Sequence, residues 1–467
     1  MRIAQGAYGL AQNSANSPVL SMTPTGVSLG APARPDIAST PLERDEPHCL
    51  YVATARSAVS APPLRTDART EVAVVGAGYT GLSTALHLAE RGVAVTLLEA
   101  HEPGWGAAGR NGGQVNPGLK HEPDEVERDL GEVYGPRLVR LAGEAPDYLF
   151  ALIARLGIDC EARRAGTLRV AHHPRHAATV RDSVEQWRRR GVALESWDAA
   201  VVGAATGTGR YLAASFDPRG GAVNPLGLAR GLAAAAIAAG ARLCGESRAL
   251  KLDREGRGWR VVTPGATLRA DRVVLATDGY TDDLWGGLRT SIVPIYSSIV
   301  ATEPLPPELA ASILPGGEVV YESGQVTTYY RLDRDGRLLM GGRGVQRRAP
   351  ERRDYTHLSH YALRLWPALA GVEWTHWWNG QFALTPEFYP RLHSPAPNLL
   401  IGLGYSGRGV ALGTALGAQL AAAAAGTALE TLALPLTNVP QIPFHGLWRV
   451  GVGARIAYGR VRDRLGF

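Results

Sequence analysis

The hexapeptide Gly76-Ala77-Gly78-Tyr79-Thr80-Gly81 constrains this chain more than any other stretch. It follows a short apolar run, Glu71 to Gly76, and opens a segment of helical spacing from Gly81 to Arg91. Gly92 ends that helix, and Val93 to Glu99 reads as a second strand, so the region is a βαβ unit. In such a GxGxxG turn the first glycine permits the tight bend, the second lets the backbone approach a pyrophosphate, and the third lets helix and strand pack closely. The helix N-terminus behind the turn offers free N–H groups and a partial positive charge. Glu99 closes the second strand 23 residues after Gly76, where an acid can hold ribose hydroxyls. A Gly-rich turn alone also occurs in other α/β proteins; the two strands, the helix and the acid together point to a dinucleotide.

The next segment, Gly104 to Gln114, holds five glycines and little hydrophobic bulk. A chain this glycine-rich can pass close to a large planar ligand, or form a mobile surface loop. Arg110 is expected to neutralise a phosphate, and Asn111 and Gln114 to hydrogen-bond a polar ring. Further on, charged helical patterns cover Glu125 to Tyr134 and Arg181 to Arg190, and an Ala-rich helix runs from Asn224 to Ala241, opening at Pro225. Strands are expected at Gly258 to Thr263, Ala270 to Thr277 and Leu399 to Gly404, and strand-like runs fill 292–345, with a hairpin turn at Asp335-Gly336. Trp366, Trp374, Trp377 and Trp378 crowd one region and read first as core. Between Arg408 and Glu430 there is no charge, but the segment is mostly Ala and Gly, which gain little from lipid, so a buried helix is expected rather than a membrane span.

At 467 residues the chain is too long for one small core, and two interleaved domains are expected. The net charge of +6 comes almost wholly from scattered arginines, since Lys120 and Lys251 are the only lysines; this is a solvated surface rather than a nucleic-acid footprint. Cys49, Cys160 and Cys244 are too widely spaced for a disulfide framework or a metal site, and the cluster His172, His173 and His176 reads as a solvated loop. Residues 1–45 are rich in Ser, Pro, Ala, Gly and Thr and show no export signal, giving the expectation of a disordered leader and a cytoplasmic protein. The tail 436–467 is basic, with Arg449, Arg455, Arg460, Arg462 and Arg464 among aliphatic and aromatic residues. A terminal helix docked on its own domain is expected there; contact with an anionic membrane surface is the alternative.

From Glu71 to Gln114 the sequence resembles the FAD-binding start of the D-amino-acid-oxidase-like oxidoreductases. Its Arg-Asn-Gly-Gly-Gln run, 110–114, is most similar to the γ-glutamylputrescine oxidase-like branch. The resemblance extends from about Tyr51 to the C-terminus through Leu275-Ala276-Thr277-Asp278-Gly279-Tyr280, Tyr330-Arg331, and Gly402 to Val410.

It implies an α/β fold: a Rossmann-like FAD-binding domain built from 66–118, 218–300 and 385–435, interleaved with a substrate domain on an antiparallel sheet from 120–217 and 301–384. It assigns FAD contacts to Gly76, Gly78, Tyr79, Thr80, Gly81, Glu99, Ala100, Arg110, Asn111, Gly112, Gly113, Gln114, Ala249 and Thr277. The Gly-rich turn Gly404, Ser406, Gly407, Arg408, Gly409 and Val410 would stabilise negative charge on the reduced flavin, with Arg408 where many members carry histidine. Tyr330, Trp378, Gln381 and Tyr405 are the expected pocket lining. Relatives that attach FAD covalently use a cysteine in the hairpin near Arg331 to Gly342 or a histidine in the run 104–114; neither is present, so FAD is expected to bind without a covalent link. Ala411 stands where the sarcosine branch carries a carboxylate-binding lysine.

The implied activity is oxidation of a C–N bond in a small-molecule amine or amino acid. Hydride passes to flavin N5, the imine hydrolyses, and electrons go on to oxygen or a quinone. A pipecolate-like, membrane-associated dehydrogenase, a tRNA-modifying flavoprotein and a partner subunit without its own chemistry are the other readings. The tRNA reading needs a basic face or RNA domain that the sequence does not show.

Overall fold

The computed structural model describes residues 48–55, 59–324 and 326–465. The expected leader, 1–45, lies outside them.

The strand Ala68–Val75 sits at the centre of a nine-stranded sheet. It pairs in parallel with Thr267–Leu275 on one side and Val95–Leu98 on the other. Arg242–Cys244 extends the parallel set beyond Val95–Leu98, and Leu399–Leu403 runs parallel to the far end of Thr267–Leu275. Toward their C-terminal ends these central strands are apolar, as strands covered on both faces must be: Val72 to Val74 and Leu97 to Leu98 are nearly inaccessible. An antiparallel hairpin, Lys251–Glu255 and Gly258–Val262, branches from the first half of Thr267–Leu275.

A second sheet has eight strands, ordered Trp374–Leu384, Val293–Pro304, Arg337–Arg343, Tyr329–Leu332, Val319–Glu322, Thr167–Ala171, Ala213–Asp217 and Glu195–Asp198. All its pairings are antiparallel except that of Val319–Glu322 with Thr167–Ala171. The expected hairpin is present: Gly336 takes φ +76°, and the Asp333 carboxylate accepts the N–H groups of Asp335 and Arg337. One face of this sheet packs Leu168, Val320, Tyr330 and Met340 into a core with Tyr355, Leu358 and Trp366. The other face looks toward the glycine segment.

The uncharged segment forms the helix Ala411–Ala424, which lies against the helix Tyr79–Ala89. Glycine makes that approach possible. A Cβ on Gly417 would stand 2.5 Å from Thr80 O, and one on Gly413 3.1 Å from Thr80 Oγ1. Ser83 Oγ and Thr84 Oγ1 donate across the contact to Thr414 O and Gly417 O. Among the described residues no helix is long and apolar enough to cross a membrane.

The tail forms the helix Trp448–Leu465, and it is docked only in part: Val452 and Ile456 are half-buried, whereas Val450, Tyr458 and Val461 are 71, 55 and 53 % exposed.

The tightest contact in the molecule's first βαβ unit is at Gly81, where a Cβ would fall 1.8 Å from Gly76 O. Gly81→Ala must therefore push the helix off the strand. We expect a loss of about 1–3 kcal/mol, as for other overpacked sites, read as a lowered Tm of the apoprotein; an unchanged Tm would show that the helix has slack the structure does not display.

Candidate functional site

The site is built at the C-terminal ends of the parallel strands, where open α/β sheets bind ligands. A concavity of about 300 Å³ between Arg69, Glu255, Trp259 and Asn398 lies toward the opposite strand ends, among charged surface side chains.

The three loop glycines do different work. Gly76 takes φ +102°, and a Cβ there would meet Ala276 O at 2.7 Å. Gly81 is closed off by Gly76, as described. Gly78, by contrast, looks into open space: the nearest atom to a Cβ would be Ala108 Cβ at 3.9 Å. Gly78 is also the N-cap of the helix Tyr79–Ala89, and no side chain caps it. The first-turn N–H groups of a helix have no partner within the helix, so a capless end under open space fits a phosphate-bearing ligand. Glu99 stands beside it. Its carboxylate accepts from Ala77 N at 2.7 Å and His101 N at 3.0 Å; burial pushes its pKa up while those N–H groups pull it down. Ser247 N donates to Glu99 O at 2.7 Å, which brings Ala249, two residues on, to the same end of the sheet. Thr277 shares a 2.6 Å hydrogen bond with Thr281 at the end of Thr267–Leu275. The donor set and the open space thus fit FAD.

The glycine segment is wedged between the two sheets, so its polar side chains turn inward. This corrects the expectation for Asn111 and Gln114. Asn111 Nδ2 donates to Ala107 O, Ala108 O and Tyr79 Oη, and its Oδ1 accepts from Gly113 N. Gln114 Nε2 donates to Val320 O and Tyr330 O. Both brace the backbone rather than reach for a ring. Gly112 has no room for a side chain, because a Cβ would stand 2.5 Å from the Tyr329 ring; at Gly113 it would meet Arg331 Nη2 at 2.6 Å. Arg110 lays its guanidinium 4.4 Å above the Trp105 ring, in a cation–π contact rather than over the helix end.

The turn Gly404 to Val410 leads into the helix Ala411–Ala424, whose N-cap, Val410, offers no side-chain cap. Gly404, Ser406 and Gly407 all have positive φ, and the N–H groups of Gly404, Ser406 and Arg408 are taken up by Asp278, Ala383 O and Tyr405 O. Asp278 anchors the turn, a role the sequence reading missed. Its buried carboxylate accepts from Gly404 N at 2.8 Å and Ala383 N at 3.3 Å, joining three segments. Arg408 reaches away from the turn toward the second sheet, its guanidinium 4.6 Å from the Tyr321 ring.

The expected pocket lining needs correction. Tyr330 is fully buried on the far face of the second sheet, where its hydroxyl donates to Tyr211 Oη and its ring packs edge-on to Trp366. Strand alternation is the reason: Tyr329, one residue earlier, faces the cleft. Trp378 is buried with its N–H on Arg110 O. The Gln381 side-chain amide donates to Gly279 O. Tyr405 turns back over its own helix and shares a 2.7 Å hydrogen bond with Thr80 Oγ1.

The residues facing the cleft follow from register instead. Tyr321 pairs with Tyr329 and with Arg169, and Tyr329 pairs with Gly341, two residues before Arg343, so all four side chains share one face. The Arg343 guanidinium lies 4.9 Å from the Phe382 ring, and a Cβ on Gly407 would stand 3.8 Å from the same ring. Lys120 completes the group. It is an exposed residue, and desolvation of its amine, with Arg408, Arg343 and Arg169 nearby, holds its pKa below the usual lysine range.

Gly78 and Glu99 give a paired test. If the open space over Gly78 takes the ligand, Gly78→Ala fills it, so the apoprotein should keep its stability within about 1 kcal/mol, as an N-cap Gly to Ala change allows, yet purify colourless. Glu99→Ala removes a charged hydrogen-bond acceptor worth on the order of 1.5–3 kcal/mol to the ligand, and should also purify largely without flavin while remaining folded. Full flavin occupancy in either variant would show that the residue does not touch the cofactor.

The comparisons with known proteins agree with this geometry. The model of the DAO family, FAD dependent oxidoreductases, matches residues 71–423. A probable oxidoreductase, OrdL, of Rhizobium meliloti is 35% identical over 84% of this chain and 92% of its own length. The γ-glutamylputrescine oxidoreductase of Escherichia coli is 34% identical over 89% of this chain and 98% of its own. Among solved structures, glycine oxidase from Geobacillus kaustophilus superposes with a TM-score of 0.66 at 23% identity, over 76% of this chain and 95% of its own. This chain belongs to the DAO family of FAD-dependent oxidoreductases.

Proposed function

We propose that the chain oxidises a C–N bond of an amine or amino acid, as an enzyme of the γ-glutamylputrescine oxidoreductase type, with FAD held without a covalent link. The observation that carries this reading is the similarity to the Escherichia coli γ-glutamylputrescine oxidoreductase, which runs through nearly the full length of both chains. FAD, when bound, supplies the two-electron acceptor.

The protein's part is placement and electrostatics. The loop Gly76 to Gly81 and Glu99 would hold the pyrophosphate and ribose. The turn Gly404 to Val410 would set N–H groups and a positive helix end where negative charge accumulates. Tyr321, Tyr329 and Phe382 would bound the substrate space from the second sheet. An amine must be neutral before it can give up a hydride. Lys120, Arg343 and Arg408 lower the pKa of an ammonium group brought among them, so its proton can pass to water without a dedicated base. The imine product leaves and hydrolyses to an aldehyde or ketone. Anaerobic mixing of the purified holoenzyme with a panel of amines and amino acids should bleach the flavin with at least one of them; a flavin that stays oxidised throughout would overturn the reading.

The tail bears on the electron acceptor. Its helix exposes Val450, Tyr458 and Val461 beside the exposed Arg449 and Arg455. Apolar and basic residues exposed together favour contact with an anionic membrane surface, and with it a quinone as acceptor. The intact protein should then float with anionic liposomes at low salt, where attraction is strongest, and a chain lacking 444–467 should not. If the intact protein stays at the bottom of the gradient, oxygen is the better acceptor.

A further inference from the structure

A row of side chains leads sideways from the cleft across the second sheet. Tyr321 pairs with Arg169, and Arg169 with Ser215, so they lie side by side on adjacent strands, on the face that carries Tyr329. At about 5 Å per strand, Ser215 stands on the order of 10 Å beyond Tyr321. Tyr321 itself borders the turn before the helix Ala411–Ala424, with the Arg408 guanidinium 4.6 Å from its ring. The row ends in a cavity of about 40 Å³ between this face, the segment Pro117 to Glu122 and the helix Pro174–Arg188. One water needs roughly 10–15 Å³ of such space, so the cavity takes a group of about three heavy atoms.

Leu119, Trp187 and Leu194 give the cavity apolar walls. Close packing fixes Trp187: a Cβ on Gly118 would stand 3.2 Å from its ring, and one on Gly143 2.9 Å. Two carboxylates line the cavity as well, and each is matched by a guanidinium. Glu122 pairs with Arg169 at 2.5 Å, and Asp217 with Arg219 at 2.6 Å. His121, also in the lining, has its own acid in Glu125. A full charge entering here would therefore meet no surplus of the opposite sign.

Hydrogen-bonding capacity is less evenly matched. Arg169 donates to Glu122 and Ser323, Ser183 to Glu122, and Thr167 to Asn116. A carboxylate can accept about four hydrogen bonds, and Arg169 and Ser183 take one oxygen each of Glu122. Ser215 lines the cavity and is only 6 % exposed, and its hydroxyl has no hydrogen-bond partner among the described residues. Burying such a hydroxyl is costly unless something pairs with it.

We propose that this cavity holds the far end of the amine substrate, and that the end group is an uncharged N–H donor of the carboxamide class, carried several atoms away from the oxidised carbon. This rests on the reading of the cleft as the place of amine oxidation. The amide plane would lie against the apolar walls, its N–H groups would take the spare lone pairs of Glu122, and its carbonyl would accept from Ser215. Glu122 and Ser215 thus determine specificity for the length and end group of the substrate, at a distance from the reacting bond.

The test uses two measurements on the holoenzyme. The first is anaerobic flavin reduction by four amines of similar length: 6-aminohexanamide, heptylamine, hexane-1,6-diamine and 6-aminohexanoate. The amide should have the highest kcat/KM, about tenfold above heptylamine for the hydrogen bonds it gains. The short pair, 3-aminopropanamide and butylamine, should show no such gap, because neither spans the row. In Ser215→Ala the ratio of 6-aminohexanamide to heptylamine should fall toward one, through KM rather than kcat. A wild-type ratio near one would overturn the proposal, as would a faster diamine or carboxylate.

The second measurement needs no turnover and no variant. Hexanamide, which has no amine to oxidise, should bind the holoenzyme saturably by ligand-observed NMR and compete with 6-aminohexanamide. N,N-dimethylhexanamide, which keeps the carbonyl but has no N–H, should not. Equal binding of the two, or binding of neither, would overturn the assignment of the cavity. Hexanamide binding with no amine bleaching the flavin would instead sink the amine-oxidising reading and leave the cavity's preference standing.

Discussion

The site depends on how closely three backbone segments approach one another. Gly81 lets the helix Tyr79–Ala89 rest on the turn at Gly76, and Gly413 and Gly417 let the helix Ala411–Ala424 rest on the other side of that helix. The hydroxyls of Ser83 and Thr84 then bridge the two helices through carbonyls. This packing sets the capless N-terminus at Gly78 and the capless N-terminus at Val410 toward the same end of the sheet. A larger residue at any of these contacts would separate the helices and move one N-terminus away from the other. The close approach of small residues is therefore a condition of the cofactor site as well as of stability.

Asp278 ties that arrangement to the second sheet. Burial raises the pKa of its carboxylate, and N–H groups from Gly404, Ala383, Gly279 and Tyr405 hold it down. The residue itself has φ +38°, a left-handed position that a short polar side chain tolerates better than most. One carboxylate thereby joins the end of the strand Thr267–Leu275, the turn before the helix Ala411–Ala424, and the strand Trp374–Leu384.

What could be read from the sequence was local. The GxGxxG loop, the helix opening at Pro225 behind its Asn224 cap, and the turn at Asp335-Gly336 are each encoded within a few residues, and each stands where expected. The uncharged helix was legible by composition. The pocket was not, because it depends on pairing between distant strands. Tyr329 and Tyr330 are equivalent in sequence, and only the register with Gly341 and Met340 decides which one meets the cleft. Asn111 and Gln114 were misread for a similar reason: an amide in a glycine run can turn to a ligand or to backbone, and Val320 and Tyr330, which claim Gln114, lie some two hundred residues away. Lys120 and Arg343 carry no local signature, and their meaning appears only when Arg408 is brought to them.

The two sheets divide the electrostatic work. At the dinucleotide loop there is no Lys or Arg between Gly76 and Ala100 other than Arg91, which lies beyond the helix, so phosphate recognition there falls to backbone N–H groups and a helix end. Those dipoles are fixed by the fold and do not titrate. The cleft is the reverse case: its charges are whole and they sit on long side chains. A cofactor that stays bound is well matched by rigid neutral donors, since nothing must be rearranged to admit it.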